Sequence, residues 1–145
     1  MSTSGNNGNK SGSKPIEKVK KVSTVDYYGE FHGHRTKDLS IVHDHLRTSN
    51  CNNDVVTTDD NVNNNKYRKM IFLAGDSSLD NKYWFGSRSN AINGYESILN
   101  PPTSKMDITY WMNKELLDRG LGNEYVTLNC AVEATSIGDR SCCCL

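Results

Sequence analysis

Hydrophobic residues are scattered through the first half of the chain and gather into short runs in the second half. Residues 70–74 form a continuous apolar run that closes on a glycine, a pattern typical of a strand buried on both faces. Ser104, with Asp107 three residues later, matches a capping box that opens a stretch of helical apolar spacing. Residues 124–130 form a second β-rich run. Strand, helix and strand in this order predict a parallel crossover and therefore an α/β fold.

The amino-terminal half has the composition of a poorly packed region. Residues 1–24 are rich in Ser, Gly, Asn and Lys, which bury too little apolar surface to offset the entropy of chain ordering, so we predict a disordered tail. Residues 25–65 join scattered apolar residues to an Asn/Asp-rich linker, which predicts a loosely ordered segment with room for one short strand or helix. We place the boundary of the folded domain, residues 66–145, near Lys66.

Composition limits both the core and the kinds of partner. Hydrophobic residues make up 35% of the 145-residue chain, which predicts one modest domain with a small core. The 17 Lys and Arg residues balance the 17 Asp and Glu residues, so no overall field favours nucleic acid or an anionic membrane as the main partner. Without an apolar leader or a run of membrane-spanning length, we expect an intracellular, cytoplasmic protein with no transmembrane segment, whose five cysteines are thiols.

The last four residues, Cys-Cys-Cys-Leu, match the C-a-a-X pattern that directs geranylgeranylation of Cys142. The middle positions are not the usual aliphatic pair, and no polybasic stretch precedes them. We therefore interpret the match as a chance ending of a shortened reading frame, with prenyl anchoring at Cys142 as the alternative.

The strongest motif follows the first apolar run. Residues 71–81 read Ile-Phe-Leu-Ala-Gly-Asp-Ser-Ser-Leu-Asp-Asn, which resembles block I of the SGNH/GDSL hydrolases, where a hydrophobic strand leads into Gly-Asp-Ser. The resemblance implies a flavodoxin-like, three-layer parallel sheet with Ser77 as the nucleophile, supported by Gly75 and Asp76. In open α/β sheets the ligand crevice lies beyond the carboxyl ends of the strands, which is where this serine is expected.

The second predicted strand ends at Asn129 and resembles the approach to block II of the same family, an Asn-x-Gly-like turn. In that family the backbone N–H groups of the nucleophile and of a block II glycine form the oxyanion hole. The position that corresponds to this glycine is Ala134, which implies that its N–H is an oxyanion donor. An alanine is strained if the turn requires a positive φ. Asn129 is implied as a supporting residue.

The rest of the family's catalytic machinery is missing from the sequence. A block III Asn and a late Asp-x-x-His would be needed, yet no His follows His45 and no Asn follows Asn129. We therefore expect residues 66–140 to form the first β-α-β portion of an incomplete SGNH-like sheet. The function implied is hydrolysis of a small ester or acylated substrate without a cofactor, and a serine that lacks its base should give very low activity.

The alternative is a noncatalytic binding or interaction protein. Two His-x-His pairs lie in the amino-terminal half, and on an extended chain this spacing puts each pair on one side, as a zinc or copper site requires. The simpler interpretation is that these histidines are exposed in a flexible segment and bind no metal. The four candidate ligands are His32, His34, His43 and His45.

Aromatic and acidic residues near the motif have an ordinary interpretation. Aromatics next to a buried strand or on an amphipathic helix usually belong to the core, so we assign Trp84, Phe85, Tyr110 and Trp111 to packing rather than to an acyl or sugar pocket. The carboxylates of Asp76, Asp80 and Glu133 show no spacing that selects a catalytic pair.

Overall fold

The computed structural model of the chain describes residues 20–49 and 67–133. Over these residues the chain forms a mixed α/β structure with short strands, which confirms the predicted class. The elements in chain order are β1 (Val22–Ser23), α1 (Thr24–Tyr27), α2 (Thr36–Thr48), β2 (Lys69–Leu73), β3 (Arg88–Asn90), α3 (Tyr95–Ile98), β4 (Leu99–Asn100), β5 (Thr103–Lys105), α4 (Ile108–Asp118) and β6 (Tyr125–Asn129). The helices in this part of the chain are too short or too polar to span a bilayer.

The two predicted strands pair with each other. β2 and β6 run parallel, with Lys69 opposite Tyr125 and Leu73 opposite Asn129. Two smaller pairs flank them, β1 with β4 in parallel and β3 with β5 in antiparallel orientation. The prediction that β2 is buried on both faces is wrong, because Phe72 is 51% exposed. Among the described residues β2 has a strand partner on one side only, so its other side is incompletely covered.

Helix α4 lies between the two long strands, as predicted, but it starts later than the capping-box interpretation required. Ser104 belongs to β5, where it faces Ser89 of β3. The N-cap is Asp107, whose carboxylate accepts a hydrogen bond from the Tyr110 N–H at 3.0 Å. An Asp satisfies the unpaired N–H groups of a first helical turn without a preceding serine, which explains why the pattern placed the start three residues early.

The segment before the predicted linker contains helix α2, residues 36–48. Val42 and Leu46 on its buried face are fully enclosed in a core shared with Val126 and Leu128 of β6. The sequence left room for one short strand or helix here, and apolar side chains four apart on a helix bury together against the sheet. Residues 1–19 and 50–66, where the tail and linker were predicted, lie outside the described residues.

Candidate functional site

Two turns meet at the carboxyl end of the β2–β6 pair. Cys130, the first residue after β6, donates its N–H to the Leu73 carbonyl at 2.8 Å. Two residues on, the Val132 N–H donates to the Gly75 carbonyl at 3.1 Å. The Gly-Asp-Ser turn after β2 and the segment after β6 therefore run side by side, as the ends of neighbouring parallel strands must.

Ser77 opens a single helical turn at this edge. The Asp76 carbonyl accepts the N–H groups of Leu79 at 3.0 Å and Asp80 at 2.8 Å. The Asp76 carboxylate accepts both the N–H and the hydroxyl of Ser78, at 3.0 and 2.9 Å. Ser77 is half-buried, and within the described part of the chain neither its hydroxyl nor its N–H has a hydrogen-bond partner. No described residue therefore uses its hydroxyl or its amide.

Asn129 joins the two turns. It is buried at the end of β6, and its side-chain amide donates to the Leu79 carbonyl at 2.8 Å. Its side-chain oxygen accepts the N–H of Ala131 at 2.9 Å. One amide side chain therefore holds the turn that carries Ser77 in register with the segment after β6, which is a supporting role.

The second predicted oxyanion donor, Ala134, lies outside the described residues. The four residues before it use their N–H groups internally. Cys130 and Val132 donate to carbonyls of the first turn, Ala131 to the Asn129 side chain, and Glu133 to the Asp80 carboxylate at 3.0 Å. None of these four N–H groups is therefore available to a ligand.

A buried ion pair, which the sequence analysis missed, connects the segments around the site. Asp80 and Lys82 form a salt bridge in which both side chains have no solvent exposure. The other Asp80 oxygen accepts the N–H of Gly33 at 2.6 Å and that of Glu133. Lys82 also reaches the Phe31 carbonyl at 3.5 Å. The pair thus ties together residues 31–33, the turn after β2 and the segment after β6. The available signal in the sequence was a pair of opposite charges two residues apart, beginning three residues after Ser77.

Among the histidines, His32 lies at this edge and the half-buried His34 packs against Tyr27. His32 donates from Nδ1 to the Glu133 carbonyl at 3.2 Å. His34 stacks on Tyr27 with 4.1 Å between ring centres and donates from Nδ1 to its carbonyl at 2.6 Å. Burial lowers the pKa of His34 from 6.5 to about 4, so its ring is neutral at pH 7.

The other two histidines lie on α2. His43 bonds to Asp44 at 3.0 Å and stacks on Phe72, whereas His45 lies 2.6 Å from the Ser97 hydroxyl. Their spacing was interpreted on an extended chain, but on a helix residues two apart point to different sides. The structure does not bring the four histidines together. Across the two described ranges no group of three or more His, Cys, Asp or Glu side chains could hold a metal ion.

The aromatic residues after the ion pair lie on the surface. Trp84 is 69% exposed and Phe85 is also exposed, so their assignment to packing is corrected. They belong to residues 83–88, an exposed stretch that follows the buried Lys82. Trp111 of α4 is likewise 48% exposed, because that helix buries polar side chains against β6. Tyr110 is half-buried and donates its hydroxyl to Ser89 at 3.2 Å.

A buried carboxylate with a raised pKa lies next to the site. Asp107 is almost fully buried, and burial raises its pKa from 3.8 to about 6, against hydrogen bonds from the Tyr110 and Thr109 N–H groups that lower it. The helix it caps is linked to the ion-pair turn, since Ile108 donates its N–H to the Asn81 side chain at 3.4 Å. Its position at a helix start accounts for its burial without a catalytic role.

Comparison with protein-family models, curated proteins and solved structures finds no match to this chain. The resemblance to SGNH/GDSL hydrolases therefore stays a prediction from the residues around Ser77 and Asn129.

Proposed function

We propose that the chain carries the nucleophile side of an SGNH/GDSL-like serine hydrolase site, on the opening strands of a flavodoxin-like sheet. The observation that carries the proposal is the environment of Ser77, four residues after the end of the parallel strand β2. Within the described residues neither its hydroxyl nor its amide has a hydrogen-bond partner. Asn129, at the tip of the neighbouring strand, supports the turn that presents Ser77. This arrangement suits a small ester or acylated substrate in the crevice at the strand ends.

The reaction follows from these groups. The Ser77 hydroxyl oxygen attacks the carbonyl carbon of the substrate, and the Ser77 N–H donates to the oxygen on which negative charge develops. The Ser77 proton must leave to a base during the attack. No Asp-x-x-His occurs in the 145-residue sequence, and among the described residues no basic side chain bonds to Ser77. A polypeptide of this sequence is therefore expected to hydrolyse esters very slowly.

The proposal is tested with a fluorophosphonate probe and peptide mapping by mass spectrometry. Without an added base, we expect no appreciable labelling of Ser77. With imidazole added as an external base, labelling should appear at Ser77 and disappear in Ser77→Ala. Ser78→Ala is the matched control, because the Ser78 hydroxyl is bonded to the Asp76 carboxylate and should not compete.

Two outcomes contradict the proposal in different ways. Strong labelling of Ser77 without imidazole would show that the base is present and that the incomplete-site argument is wrong. Equal labelling of Ser77 and Ser78 with imidazole would show that the turn does not select Ser77, which removes the hydrolase interpretation. The metal-binding alternative is weaker, because the described residues offer no cluster of ligands.

A further inference from the structure

The two outer edges of the β2–β6 sheet differ sharply in how their backbone groups are satisfied. On the β6 side, Asn113 of α4 pairs with Thr127 as a neighbouring strand would. Its side-chain oxygen accepts the Thr127 N–H at 2.9 Å, and its amide donates to the Thr127 carbonyl at 3.1 Å. The Tyr95 hydroxyl donates to the same carbonyl at 3.0 Å. A buried side-chain amide thus closes the middle of this edge.

The amino end of the same edge is closed as well. The Tyr125 carbonyl accepts from the Arg68 guanidinium at 3.0 Å and from the Asn93 amide at 3.3 Å. Side chains on three different segments therefore occupy the positions that an added strand would need. No further strand can join the sheet beyond β6 without displacing them.

The β2 side is closed only at its amino end, where the Arg68 N–H donates to the Arg47 carbonyl of α2 at 2.9 Å, and the described residues leave the rest of this edge uncovered. Lys69 donates its N–H to Glu124 at 2.8 Å, and Leu73 accepts from Cys130, so the odd-numbered residues of β2 bond to β6. In a parallel ladder the even-numbered residues then direct their N–H and carbonyl groups to the other side. For Met70, Phe72 and Ala74 no described residue supplies a backbone partner on that side.

This open edge has little of the protection that edge strands usually carry. Charged side chains, prolines or bulges normally prevent an edge from pairing with another chain. Here the run Met-Ile-Phe-Leu is uncharged, and both cations before it are engaged. Lys69 bonds to Glu124 at 2.6 Å, and the buried Arg68 donates to the Asn93 carbonyl at 3.1 Å. Phe72 is half exposed at the centre of the edge and stacks on His43 at 5.9 Å between ring centres. An exposed apolar strand with unpaired backbone groups favours strand addition.

We infer that the β2 edge pairs with the β2 edge of a second copy of this chain, antiparallel, about a two-fold axis next to Phe72. A surface that pairs with itself across a two-fold axis must place its strands antiparallel. Centring on Phe72 aligns the outward backbone groups, with Met70 opposite Ala74 of the second copy. It sets the two Phe72 side chains across from each other, a favourable cross-strand aromatic pair.

The symmetry of the edge and closure both favour a second copy as the occupant. The outward backbone groups of Met70, Phe72 and Ala74 are spaced evenly about Phe72, so a second copy in antiparallel orientation offers each of them a matching donor and acceptor. The product is a four-stranded sheet in the order β6, β2, β2, β6. Its outer edges are the two β6 edges that Asn113 already closes, so assembly stops at a dimer and does not extend into a fibre.

Amide hydrogen exchange read residue by residue, together with sedimentation at a series of concentrations, tests this inference on the full chain. At the highest dilution the protein should be monomeric, with the Ile71 and Leu73 amides protected by β6 and the Met70 and Phe72 amides exchanging fast. As concentration rises, the mass should double, and protection should appear at Met70 and Phe72 over the same range.

Substitution at the centre of the edge gives the matched comparison. Phe72→Lys sets two like charges opposite each other and should weaken self-association by at least about tenfold, while Ile71 and Leu73 stay protected and report that the chain is folded. Trp111→Lys removes an equally exposed aromatic from α4 and should leave the dimer unchanged.

Three results would each overturn the inference. The first is a monomer with fast exchange at Met70 and Phe72 at every concentration. The second is protection of both amides in the monomer, which would mean that another segment of the same chain covers the edge. The third is an assembly that grows beyond two copies. Labelling of Ser77 by the fluorophosphonate probe has no bearing on any of them, so the two proposals fail separately.

Discussion

Replacing Lys82 by Met is the most informative perturbation of the site. The change keeps an unbranched side chain, one atom shorter, but removes the cation and leaves the Asp80 carboxylate enclosed without a counter-charge. Breaking a buried ion pair by removing one partner costs about 3–5 kcal/mol. Asp80 retains hydrogen bonds from the N–H groups of Gly33 and Glu133, so we expect the lower end, about 3 kcal/mol. Because domains of this kind are stable by about 5–15 kcal/mol, this loss is large.

Urea unfolding followed by circular dichroism measures the free energy of unfolding of each variant. The double variant Asp80→Asn with Lys82→Met removes both charges and should be clearly more stable than Lys82→Met alone, because no charge is then left buried without a partner. Lys114→Met is the control, since it breaks an exposed pair with Asp118 and should cost no more than about 1 kcal/mol.

The reasoning would be refuted by either of two results. Lys82→Met within about 1 kcal/mol of the wild type would mean that the pair is not enclosed, because only exposed pairs are that weak. A double variant whose loss equals the sum of the single losses would mean that Asp80 and Lys82 do not interact.

Two further predictions concern pH and the β6 edge. The folded pKa of His34, about 4, lies below the ordinary 6.5, so stability should fall by up to about 3 kcal/mol as pH drops from 6.5 to 4, and His34→Gln should abolish this loss. The folded pKa of Asp107, about 6, lies above the ordinary 3.8, so stability should rise by up to about 3 kcal/mol as pH drops from 6 to 3.8. Asp107→Asn should abolish this rise. Urea unfolding at stepped pH measures both, and variant curves parallel to the wild type would contradict them. Asn113→Leu leaves the Thr127 N–H without its partner and removes one donor to the Thr127 carbonyl. It should lower the free energy of unfolding by about 2 kcal/mol or more. A loss under about 1 kcal/mol would count against the role of Asn113 in closing the β6 edge.

The sequence predicted the elements whose signals are local. The apolar run before Gly75 and the β-rich run up to Asn129 both became strands, and the helical spacing between them became α4. The start of α4 was misplaced because Ser104 and Asp107 are both good N-cap residues, and only the pairing of Ser104 in β5 decides between them. The sequence left open whether residues 25–47 form a short strand or a helix, because polar residues and histidines interrupt the apolar face of α2, which becomes recognisable only where the sheet covers it.

The sequence by itself determined the order of β2, α4 and β6 and placed Ser77 just past the end of a strand, because hydrophobic period and turn residues act over a few positions. Only the tertiary structure decided what surrounds that serine and which sheet edge stays open. Asp80 meets Gly33 across 47 positions and Glu133 across 53, and Asn113 reaches Thr127 across 14. Each of these contacts requires the strands to pair first, since the partners approach each other only when the chain is folded, and a local pattern cannot specify them.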